Sequence, residues 1–111
     1  MDQENNPTLR TILYILLSKI PAGRLVTYGQ LAKMAGFPGA ARAVGATLKQ
    51  LPNDTQLPWH RVIAAGGRLS LPANTVAGDE QRQRLRAEGI FIDKDRVKLV
   101  SYQWQPEQVN E

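Results

Sequence analysis

The chain of 111 residues contains no cysteine. That absence removes disulfides, zinc–thiolate sites and every reaction that runs through a thiolate nucleophile. Histidine occurs once, as His60. A histidine-rich metal centre is therefore excluded, and carboxylates nowhere cluster at metal-ligand spacing. The expectation is no metal and no cofactor. No uninterrupted apolar run approaches the ~18 residues that a membrane span requires. Residues 1–6 are polar and acidic, unlike a secretory or transit signal, so the chain is expected in the cytoplasm. Repeats and low-complexity tracts are missing too. Hydrophobic residues make up 42% and charged residues 22%, the composition of a folded chain rather than a disordered one. The length suits one monomeric domain across 1–111, with unordered tails at 1–6 and 105–111.

Acidic residues are missing from one long stretch. None lies between Glu4 and Asp54, where Arg10, Lys19, Arg24, Lys33, Arg42 and Lys49 all fall. The net charge of +4 understates this, because both ends of the chain are acidic. A solvated surface normally mixes signs. A stretch this one-sided suits a polyanionic partner, and nucleic acid fits best.

Asn6 and Pro7 read as an N-cap followed by proline at the first helical position. Leu9, Ile12, Leu13, Leu16, Leu17 and Ile20 then recur at helical spacing until Pro21 and Gly23 end the run. Thr27 to Gln30 reads as a capping box, with Val26 and Leu31 placed to close a hydrophobic staple. Gly36 and Pro38 stop this short helix, and a third spans about 39–51. Together they read as a helix-turn-helix. On the third helix Val44, Leu48 and Leu51 share one face. Arg42 and Lys49 share the other, with Ala40, Ala41, Ala43, Gly45 and Ala46 keeping it slim. Such a face packs closely on a neighbouring helix, or enters a groove of DNA. Asp79 is read as the cap of a polar helix ending near Gly89. Ile90 to Ile92 and Val97 to Val100 read as a β-hairpin. The fold class is mainly α with a minor β-hairpin, a winged-helix-like helix-turn-helix domain.

Three segments, Val26-Thr27-Tyr28-Gly29-Gln30, Ala40-Ala41-Arg42-Ala43-Val44-Gly45 and Pro58-Trp59-His60-Arg61-Val62-Ile63, closely resemble the DNA-binding domain of O6-alkylguanine-DNA alkyltransferases. Those enzymes carry a cysteine in the third motif that takes the alkyl group irreversibly. This chain has Trp59 there, which resembles the alkyltransferase-like branch. An indole is no soft, low-pKa nucleophile. The resemblance therefore implies a non-enzymatic sensor that binds double-stranded DNA at O6-alkylguanine, flips that base and hands the site to nucleotide-excision repair proteins. By the same carry-over Tyr28, Ala41, Arg42, Gly45 and Lys49 contact DNA, with Tyr28 on the backbone and Arg42 filling the gap in the stack. Trp59, His60, Val62, Arg68 and Glu88 line the lesion pocket, His60 and Glu88 as a buried polar pair, and no residue is catalytic. Two departures stand out. Leu51 occupies the place of an asparagine common in the enzymes, and 69–78 replaces their Gly/Tyr-rich pocket segment. An arginine that some alkyltransferase-like relatives carry near Pro72 is missing, with Arg68 the nearest substitute. Two other classes compete: a residual alkyltransferase or hydrolase using His60 and Glu88, and a sequence-reading winged-helix regulator.

Overall fold

The first apolar stripe folds as its spacing predicts. In the computed structural model, which describes residues 7–106, helix α1 is Pro7–Lys19. Leu9, Leu13, Leu17 and Ile20 are buried along it, and Ile12 and Leu16 pack at its margin. Each such burial stabilises the fold by about 1.5–3 kcal/mol. The expected Asn6 cap and the tails at 1–6 and 107–111 lie outside the described residues, and the described chain continues through Gln105 and Pro106.

Strand β1 (Val26–Thr27) leads directly into α2 (Tyr28–Met34). The Thr27 hydroxyl accepts the Gln30 amide at 3.0 Å, which is one half of a capping box. The other half is absent. Gln30 Nε2 instead donates to the Trp104 carbonyl at 2.7 Å, and its Oε1 accepts from Gln103 at 2.9 Å. A distant partner outbids the local one. Val26 and Leu31 meet in one core cluster, as the staple requires. The stop at Gly36 (φ +90) is a Schellman turn: Gly36 N–H donates to Lys33 O, and Phe37 N–H to Ala32 O.

Helix α3 is Ala41–Lys49, shorter at both ends than expected: Gly39 takes φ +87 and Ala40 is the cap at its start, and Gln50 is the cap at its end. It packs on α2, with Val44 buried and Leu48 and Leu51 against the same cluster. The helix-turn-helix is thus present.

A 3₁₀ turn (Trp59–Arg61) feeds β2 (Val62–Ile63), which pairs in parallel with β1, Val26 opposite Val62. Leu25 is also held on its other side: its N–H donates to Tyr102 O, and Trp104 N–H donates to its carbonyl. Helix α4 (Val76–Ala87) starts one turn earlier than expected. Its cap is Thr75, whose side chain accepts from Gly78 N. Asp79 reaches back to the Asn74 amide at 2.9 Å instead of capping.

The expected hairpin is corrected. The sheet is the β1–β2 parallel pair, and residues 90–98 hold a tight turn in place of a hairpin. Lys94 (φ +53) and Asp95 (φ +63) make it, closed by reciprocal Asp93–Arg96 backbone bonds. Beyond it Val97 pairs with Gly67 rather than with 90–92, and Leu99–Tyr102 is a short helix, α5. Leu25, Ile63, Leu69, Leu85, Ile90 and Val97 form a second buried cluster under this turn. No helix among the described residues is long and apolar enough to cross a membrane.

Candidate functional site

Among the described residues, nothing packs on one face of α3. Arg42, Ala43, Ala46 and Lys49 are exposed, and a Cβ built on Gly45 meets no atom within 4 Å. Close packing against a neighbouring helix is therefore not what Ala43, Gly45 and Ala46 serve, whereas Ala40 does pack against the core. Ala41 is half-buried at the first turn. Tyr28 begins α2, half-buried, its ring against the cluster that α2 shares with α1. The result is a narrow ridge with one long cation near each end of α3. Negatively charged side chains are absent from α2 and α3.

The second set of predicted residues is held by α4. Gln81, Arg84 and Glu88 lie at i, i+3 and i+7, one stripe of a helix. All three meet the 59–62 segment. Buried Gln81 donates from Nε2 to the His60 and Val62 carbonyls, both at 3.2 Å. The Arg84 guanidinium sits over the Trp59 ring, 5.8 Å from its centroid, and also pairs with Glu80. Glu88 Oε2 accepts from His60 Nε2 at 2.8 Å, and Arg61 Nε and Nη2 clasp the same carboxylate. Its Oε1 takes the Gly23 amide at 2.9 Å, and Arg61 Nη1 donates to the Ile20 carbonyl at 2.7 Å. Two chain segments, 60–61 and the turn at Gly23, thus converge on one carboxylate.

The electrostatics follow from that geometry. Burial alone would raise the Glu88 carboxyl. The bonds from Arg61, the Gly23 amide and His60 outweigh it and hold the group down at about 2. Burial lowers the His60 imidazole, against the opposing pull of Glu88. At neutral pH the pair is a carboxylate receiving a neutral imidazole N–H. His60 Nδ1 is then an acceptor, buried and without a partner among the described residues. The expected polar pair is present, and Arg61 makes it a triad.

Trp59 is half-buried, edge-on to His60 with ring centroids 6.3 Å apart and planes at 88°. A cleft of about 370 Å³ is lined by Ser18, Gln56, Leu57, Pro58, His60, Arg61 and Arg84, so His60 is the predicted pocket residue that lines it. Two other predicted pocket residues stand apart from the group of Trp59, His60 and Glu88. Val62 is 1% exposed, its side chain inside the core, so it supports the turn from below and offers no surface to a ligand. Arg68 is exposed and its backbone bridges Arg96, which ties it to the 93–96 turn rather than to Trp59. Sequence reasoning missed Gln81, Arg84 and Arg61. The i, i+3, i+7 spacing was available, but five other polar residues on α4 hid it.

Comparison with known proteins agrees with this geometry. The 6-O-methylguanine DNA methyltransferase, DNA binding domain family matches residues 9–90. A DNA base-flipping protein of Vibrio parahaemolyticus is 44% identical over 95 residues, covering 85% of this chain and 93% of that one. Alkyltransferase-like protein 1 of Schizosaccharomyces pombe is 36% identical over 101 residues, covering 86% and 94%. The crystal structure of S. pombe Atl1 with damaged DNA containing O6-carboxymethylguanine superposes with a TM-score of 0.83 at 34% identity, covering 90% of this chain and 97% of that one. A methylated-DNA–protein-cysteine methyltransferase of Shigella flexneri is 44% identical over 78 residues, and this chain spans only 43% of it.

Proposed function

The chain belongs to the alkyltransferase-like branch of the O6-alkylguanine-DNA alkyltransferase family, and from that premise we propose that it is a non-enzymatic sensor of O6-alkylguanine in double-stranded DNA. It binds the duplex with α3, extrudes the alkylated base, and leaves the marked site to nucleotide-excision repair proteins.

The observation that carries this reading is the open ridge of α3. A slim, uncharged face between Arg42 and Lys49 enters a groove without reading base edges, and one long cation fills the hole that a flipped base leaves. A regulator that reads sequence needs amide or several guanidinium side chains on that face. It has one arginine. Flipping costs least for a base whose pairing is already weakened, which supplies part of the selectivity. Trp59 stands where the enzymes keep their alkyl acceptor, and it offers a flat wall for stacking. His60 and Glu88 are bound to each other and to Arg61, with no nucleophile beside them to deprotonate.

The test is a titration of the protein with duplexes that carry guanine or O6-methylguanine at one position, beside an incubation with methyl-labelled DNA. Tighter binding to the methylated duplex with no labelled protein supports the sensor. Equal affinities would refute it, and a stoichiometric labelled band would make the protein an alkyltransferase.

A further inference from the structure

We propose that Arg84 is the positioning residue for Trp59, pinning one face of the indole so that the opposite face meets the flipped base. This rests on the reading of Trp59 as the pocket wall. Three observations carry it. The guanidinium lies over the ring at 5.8 Å from its centroid, within the range of a cation–π contact. Arg84 is itself tethered by Glu80, one turn back on α4, so it does not depend on Trp59 for its place. His60 meets Trp59 edge-on at 88° and blocks rotation of the indole on that side, and His60 is fixed by Glu88 and Gln81.

The two contacts on the ring, Arg84 over its face and His60 at its edge, both trace back to the Gln81/Arg84/Glu88 stripe. Trp59 is half-buried, so part of the ring stays accessible. A guanidinium on one face also draws π density towards itself, which lowers the repulsion against a purine stacked on the other. Arginine suits this better than lysine because a planar guanidinium can stack on an aromatic face and an ammonium cannot.

The experiment uses the full chain in a Trp104→Phe background, so that fluorescence reports Trp59 alone. Arg84→Ala and Arg84→Lys are compared with the parent for anisotropy, acrylamide quenching, and affinity for guanine and O6-methylguanine duplexes. Arg84 is 41% exposed, and a thermal melt of each variant checks that the fold survives. The expected result for Arg84→Ala is lower anisotropy, faster quenching and a 5- to 20-fold loss of discrimination between the duplexes. Arg84→Lys keeps the charge and should retain binding to the undamaged duplex while losing part of the discrimination. In a Trp59→Leu background, Arg84→Ala should change discrimination no further. Unchanged anisotropy and quenching would overturn the proposal whatever the affinities do, as would tighter lesion binding by Arg84→Ala, which would mean that Arg84 occupies the base's place. A mobilised Trp59 with full discrimination would instead keep Arg84 as the anchor and overturn the assignment of Trp59 as the pocket wall.

Discussion

Glu88→Gln keeps the shape of the side chain and removes the charge on which Arg61, His60 and Gly23 converge. The carboxyl titrates at about 2 in the folded chain, against an ordinary 4.5. Between those values the unfolded chain holds a proton there and the folded chain does not. The group's contribution is therefore complete above 4.5 and is lost as pH falls through about 2. At about 1.36 kcal/mol per pH unit, that interval corresponds to roughly 3 kcal/mol. The side chain is only 15% exposed, so solvent screens little of it. Glu88→Gln should accordingly lose on the order of 3 kcal/mol at pH 7, or roughly 12–20 °C of melting temperature for a domain of this size. His60 acts in the same direction at higher pH. Its lowered pKa means that the unfolded chain takes up a proton first as pH drops below 6.5, so its contribution also fades on acidification. Urea unfolding of parent and variant at pH 7, 4 and 3 separates charge from shape. The gap should shrink to less than half by pH 3, because the parent's advantage titrates away. A gap that stays constant from pH 7 to 3 would show that the variant lost packing and not a charge. A gap below about 0.5 kcal/mol at pH 7 would place the triad among ordinary surface substitutions and refute the calculation.

Arg42→Ala should leave the melting temperature nearly unchanged and cost about 1–3 kcal/mol of binding, mostly on the O6-methylguanine duplex. Lys49→Ala should weaken both duplexes alike, and equal losses for both variants would reduce Arg42 to a backbone clamp. Binding measured between 50 and 200 mM salt should fall steeply, with a log–log slope of roughly −0.9 for each phosphate contacted; a flat line would turn α3 away from DNA. Gly67→Ala should destabilise by at least about 2 kcal/mol, because its Cβ would stand 2.3 Å from the Val97 carbonyl oxygen at φ +89. Gly29→Ala, where a Cβ meets nothing, should be neutral or stabilising by up to about 1 kcal/mol in chemical denaturation.

The helix-turn-helix was legible because its signals are local. Thr27, Gly36 and the Leu9-to-Ile20 spacing each decide their own turn of chain. The C-terminal third was not, because its structure is decided at a distance. Val97 alternates like a strand residue, but its partner is Gly67, thirty positions earlier, and not the neighbouring 90–92 segment. Gln30 looked like half of a capping box until Trp104 took its amide. At the site, His60 and Glu88 could be paired through the resemblance alone. Arg61, Gln81 and Arg84 required knowing which face of α4 turns inward, and a helix polar on nearly every side does not say. Arg68 was chosen for being near Pro72 in sequence, and its backbone is instead paired with Arg96 of the 93–96 turn.

The α4 stripe also governs where this chain tolerates insertions and deletions. Gln81, Arg84 and Glu88 serve one short segment from one helix, so they share a single rotational setting. One residue added or removed between Gln81 and Glu88 turns every later side chain by about 100°. Glu88 would then swing away from Arg61, His60 and Gly23 together, while Gln81 stayed in place. Length changes within 82–87 should be lethal to the site even when the helix itself accepts them. Changes ahead of Gln81 leave the spacing of the three residues intact. A library of single-residue insertions scanned along the chain would show the boundary as a step, falling at Gln81.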